Sequence, residues 1–110
     1  MITISGASDD LVEVTGCEGA DEFSADNWHA SLIGPGGPRE QMRVSCWYSD
    51  DGCWQVGVGQ VDEEIPLPPW PITITQAPAM NPDNPGYSAL LSIDAPAGTR
   101  LDNIWPKAAV

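Results

Sequence analysis

The sequence predicts a mainly all-β fold, a small antiparallel β-sandwich or barrel-like sheet of about six to eight short strands with little helix. Three observations predict it. Apolar and polar residues alternate with period two over several short stretches. Clusters of turn-forming residues separate those stretches. Eleven prolines and eleven glycines in 110 residues interrupt any run long enough for an ordinary helix. A hydrophobic content of 42% is near the globular norm, so residues 1–110 read as one domain with one core.

Taken in order, Ile2, Thr3 and Ile4 alternate and stop at the turn-forming cluster 5–10, after which residues 11–15 alternate again, as an opening β-hairpin does. Residues 20–25 place one aromatic among acids, fit an edge strand or a helical turn, and are read as irregular. Residues 28–33 form a strand that ends at 34–38, Gly-Pro-Gly-Gly-Pro, where a wide turn follows. Residues 42–48 and 53–58 flank Ser49, Asp50, Asp51 and Gly52, and Asp-Gly between β-forming runs marks a hairpin. Residues 62–71 are a proline-rich connector or sheet edge, since proline fixes φ and removes amide donors. Strands resume at 72–75 and 87–93, and the tail 95–110 offers one more around Ile104 and Trp105.

Sixteen acids against four bases give a formal charge of -12. That balance disfavours nucleic acid and anionic membrane as direct partners and makes a basic protein surface the natural complement, although net charge also serves solubility. Residues 1–4 show neither a basic segment nor a long apolar run, and no apolar stretch reaches the roughly 20 residues that span a bilayer. The three cysteines, Cys17, Cys46 and Cys53, are then expected as reduced thiols in a cytoplasm.

Three stretches carry a family resemblance: residues 4–14 with 21–24; Met42, Arg43 and Val44 running on to Asp50, Asp51, Gly52, Cys53 and Trp54; and residues 72–78. In that order they resemble a family of small acidic proteins of bacteriophages and bacterial mobile elements. The likeness covers most of residues 1–94. The family's middle stretch reads as a strand ending in Arg-Val, an acidic turn with Asp-Gly, and a tryptophan strand. The chain departs from the family in its 65–71 segment and its two hairpin cysteines. What the resemblance implies is context: such proteins are often inhibitors of host nucleic-acid-targeting defences, or accessory proteins without an assigned role. It transfers no catalytic residue.

The residues themselves point to binding rather than catalysis. His29 is the only histidine, nothing nearby supplies a nucleophile signature, and its expected place is a strand surface or a half-buried position. The cysteines and His29 lack metal-ligand spacing, so neither metal nor other cofactor is expected. A two-residue loop sets Cys46 against Gly57, a three-residue loop puts Cys46 and Cys53 on opposite faces, and a four-residue loop leaves them diagonal at about 7 Å; no register favours a disulfide. Asp9, Asp10, Glu13, Asp21 and Glu22, and after them Asp62, Glu63 and Glu64, are the candidate acidic contact. Turn chemistry accounts for many of the paired acids locally. Alternate acids on a strand recur every ~6.6 Å, against one duplex charge per ~1.7 Å. Mimicry of DNA therefore requires acidic turns to converge on one face.

Of the five tryptophans, Trp47 and Trp54 are expected in the core, and Trp70, between prolines, is expected partly exposed as a hydrophobic contact. The leading expectation is a non-enzymatic accessory protein that inhibits a basic host complex, a CRISPR effector or restriction enzyme. The alternative is a structural or assembly protein making homotypic or virion contacts, its acidity serving solubility. The sequence leaves the oligomeric state open.

Overall fold

Period-two alternation becomes burial along this chain. The computed structural model describes residues 1–6, 12–17, 19, 22–23, 27–48, 54–78 and 87–105. The strands are β1 (Ile2–Gly6), β2 (Val12–Thr15), β3 (Glu22–Phe23), β4 (Asn27–Ile33), β5 (Gln41–Tyr48), β6 (Trp54–Gly59), β7 (Ile72–Pro78), β8 (Tyr87–Ile93) and β9 (Arg100–Trp105). The described residues include no helix, and hence none long and apolar enough to cross a membrane. Along β2, Val12 and Val14 are buried while Glu13 and Thr15 are exposed, which is the pattern of a strand with one wet face.

The strands form two antiparallel sheets, one in the order β3-β2-β1-β8-β7 and the other β6-β5-β4-β9. Their inner faces share one hydrophobic core. Ile2, Ile4, Val12, Val14, Ala89, Leu91 and Ile93 come from the five-stranded sheet, and Trp28, Ala30, Leu32, Met42, Val44, Cys46, Trp54 and Val56 from the other. The expected sandwich is therefore the observed fold. β6 packs over β8 and β1, and the chain changes sheet between β3 and β4, β6 and β7, and β8 and β9.

Both expected hairpins are present. β1 pairs with β2, Ile4 opposite Val14, and β5 pairs with β6, Tyr48 opposite Trp54. Cys46 faces Val56 in that register; Cys53 and the acidic turn 49–53 lie outside the described residues. Within 20–25, read as irregular, the structure has the two-residue β3 paired to β2. The 34–38 turn is closed by Gly34 N–H to the Glu40 carbonyl at 2.9 Å. The proline-rich 62–71 segment is the connector between the sheets, without a strand of its own.

Two expectations about tryptophan are corrected. Trp70 is 8% exposed and belongs to the core, because the connector returns beneath the sandwich and lays the indole against Gly34, whose Cβ, if present, would stand 2.9 Å from the ring. Trp47 is 40% exposed. Met42, Val44 and Cys46 take the inward positions of β5, and alternation turns Trp47 out with Arg43 and Ser45.

The two sheets are in close contact where Trp54 crosses to Gly6. A Cβ at Gly6 would lie 2.9–3.1 Å from three atoms of the Trp54 ring, whereas one at Gly57 would meet Trp47 at an ordinary 3.5 Å. Gly6→Ala is expected to destabilise the protein by about 1–3 kcal/mol through overpacking, and Gly57→Ala to change stability by less than about 0.5 kcal/mol, both read by urea unfolding. Equal effects would contradict this packing.

Candidate functional site

The predicted acids that the structure describes lie toward opposite lateral edges of the sandwich. Glu13 is exposed on β2, flanked by Ser5 of β1 on one side and the backbone position of Glu22 of β3 on the other. Two strands, β1 and β8, separate β2 from β7, a span of about 14 Å across the sheet. Asp62, Glu63 and Glu64 lie in the connector on that far side, all exposed. Asp62 serves its own turn, its carboxylate accepting the Glu64 amide at 3.1 Å, as the turn reading of these acids anticipates. Glu13 and residues 62–64 are not brought together. Asp9, Asp10 and Asp21 lie outside the described residues.

What the fold does bring to the Glu13 edge is β9. Gly19, between β2 and β3, lies against the Leu101 carbonyl, so β9 runs beneath the β2–β3 edge. At the far end of β9, Trp105 is 55% exposed and stacks on His29 of β4, ring centroids 5.3 Å apart and planes 17° from parallel. His29 is half-buried, as expected, and is held by this stacking on the outer face of the four-stranded sheet. Trp47 shares that face, leaning over Gly57. Ser45, between them on β5, faces His29 on one side and Gly57 on the other. Glu13 thus lies on the outer face of the five-stranded sheet, and His29, Trp105 and Trp47 on the outer face of the four-stranded sheet, across the core from it.

Sequence reasoning missed this aromatic surface. The alternation 42–47 carries enough signal to place Trp47 beside Arg43 and Ser45. The Trp105–His29 stack depends on a long-range register that shifts between His29 and Ser31, which no local pattern encodes.

Among the described residues one ion pair forms, Arg100 to Asp102 at 3.0 Å, both side chains about half exposed. No three His, Cys, Asp or Glu side chains among those residues gather closely enough to hold a metal ion. Burial pushes the Cys17 thiol up from its ordinary range, with a backbone hydrogen bond involving Leu101 acting the other way. Cys46, buried in the core, is pushed up to about 12 by desolvation alone. That is the environment of a packed thiol rather than a nucleophile.

Comparison with protein families, characterised proteins and solved structures finds no match.

A thiol with an ordinary value of 9.0 and a folded value of about 12 makes stability depend on alkaline pH. Its contribution is complete below pH 9 and is lost as pH rises toward 12, because the unfolded thiol releases its proton while the folded one retains it. Cys46→Ala is expected to lower overall stability yet flatten the decline above pH 9 by up to roughly 1 kcal/mol per pH unit. Urea unfolding at pH 8, 9 and 10 measures both slopes, and parallel slopes would rule the burial effect out.

Proposed function

We propose that the chain is a non-enzymatic accessory protein that binds and inhibits a basic host nucleic-acid-targeting complex, of the CRISPR-effector or restriction-enzyme kind, through its carboxylates. The observation that carries this reading is the register that sets Glu13 opposite Glu22 at the edge of the five-stranded sheet. Like charges opposed across an antiparallel pair cost a few tenths to ~1 kcal/mol of pairing stability. Departures from local rules concentrate at functional sites.

The rest of the charge supports the same reading. A formal charge of -12 steers the chain toward a basic surface and away from nucleic acid. The resemblance to small acidic phage proteins supports the class of complex. Carboxylates at a rim set encounter rate and specificity more than affinity, so an apolar anchor is needed. Trp105, 55% exposed on β9, the strand that runs beneath the β2–β3 edge, supplies one, tryptophan being favoured where interfaces concentrate their energy. Asp62, Glu63 and Glu64, on the other side, contribute to steering.

Titration of a purified effector or restriction complex free of its nucleic acid tests the proposal. Affinity should fall as salt rises, and added nucleic acid should compete. Glu13→Lys should weaken binding about two- to five-fold while stabilising the fold by a few tenths to ~1 kcal/mol, and Trp105→Ala should weaken binding further. Affinity and salt dependence left unchanged by Glu13→Lys would sink the reading.

A further inference from the structure

We infer that the opposite lateral edge, β7, is a homotypic contact that joins two copies of this chain into a continuous ten-stranded sheet. The inference stands apart from the inhibitor role.

The unequal sheets create the site. β7 is the fifth strand over a four-stranded partner, and β6, the edge of that partner, lies beneath β8 and β1 rather than beneath β7. Register places Ile74 in line with Leu91 and Ile4, both fully buried, yet Ile74 is 49% exposed. It is an inward-facing residue that the described part of the four-stranded sheet leaves half uncovered. Gln76, on the same face, reaches across to Gln55 of β6 at 3.3 Å.

Among the described residues no strand pairs with the outer side of β7. Asp94 N–H donates to the Pro71 carbonyl at 2.9 Å, so the pairing of Pro71 with Asp94 is a hydrogen-bonded one. Bonded and non-bonded pairs alternate in an antiparallel ladder. Thr73, Thr75 and Ala77 therefore direct their N–H and C=O groups to β8. Those of Ile72, Ile74 and Gln76 point outward from the sheet.

A second copy satisfies these groups. When two β7 strands meet antiparallel about a two-fold axis at Ile74, Ile74 pairs with Ile74, Ile72 with Gln76, and Thr73 with Thr75. Every outward donor then meets an outward acceptor, the two Ile74 side chains share the space beneath the overhang, and the threonines form cross-strand pairs of a favourable kind. The contact is isologous and closes at two copies.

The self-complementary register fits this occupant, and charge selects this edge. Two chains of -12 repel, and residues 65–82 carry no ionisable side chain. The other edges suit the role less. β9 carries Arg100 and Asp102, has Asn103 at φ 53°, and pairs with β4 through a register shift, all of which blunt an edge. β3 is two residues long, and β6 ends in Gly57, Val58 and Gly59, where glycine weakens pairing.

Sedimentation from about 10 μM to about 1 mM, the range suited to a small interface, tests the contact. The chain should pass from monomer to dimer, and added salt should strengthen the dimer by screening repulsion. Ile74→Lys should hold it monomeric with an unchanged unfolding transition. Ile74→Cys should cross-link two chains under mild oxidation, because hydrogen-bonded antiparallel partners stand about 5.5 Å apart at Cα, whereas Thr73→Cys, which faces Thr75 of the other copy, should not. A strict monomer at about 1 mM would overturn the inference. So would a dimer unaffected by Ile74→Lys, or equal cross-linking by both cysteine variants.

Discussion

Five strands laid on four cannot cover one another, and much of what is distinctive in this molecule follows from that mismatch. The two inner faces close tightly where they overlap: Trp54 of the smaller sheet lies against Gly6 of the larger, and Trp28, Met42, Leu91 and Ile4 fill the space between. Beyond β8 the overlap ends. The row that begins with buried Ile4 and Leu91 runs out into solvent at Ile74. The proline-rich connector passes from β6 to β7 on this side and contributes Trp70 to the core.

The two lateral edges thereby acquire different chemistry. On one side lie β2, with the exposed carboxylate of Glu13 on the outer face of its sheet, and β9, with the Trp105–His29 stack on the outer face of the other. On the other lies an uncharged strand of β-branched residues bounded by Pro71 and Pro78. Salt should act on the two edges with opposite sign, weakening attraction to a base and relieving repulsion between like copies.

Most of the fold was legible because its strands are amphipathic. Val12, Glu13 and Val14 announce a strand with one wet face, and Asp51 with Gly52 announces the hairpin between β5 and β6. The edge strand β3 was less visible, since two residues carry no period. Tryptophan misled most: its size argues for the core, but position on the pleat decides, so Trp47 faces out and Trp70, despite its proline neighbours, faces in. The site was legible only as composition. Composition counts Glu13 and residues 62–64 together, but they belong to different elements, β2 and the connector between β6 and β7. The pairing of His29 with Trp105 joins residues far apart in the chain and had no local signal.

The central claim is that β7 is a finished strand on one side and an unfinished one on the other. Amide hydrogen exchange, resolved by residue at low and high protein concentration, tests it most directly. At low concentration Thr73 and Thr75 should be protected while Ile72, Ile74 and Gln76 exchange freely, and at high concentration all five should be protected. Protection that is uniform along β7 and indifferent to concentration would contradict the account.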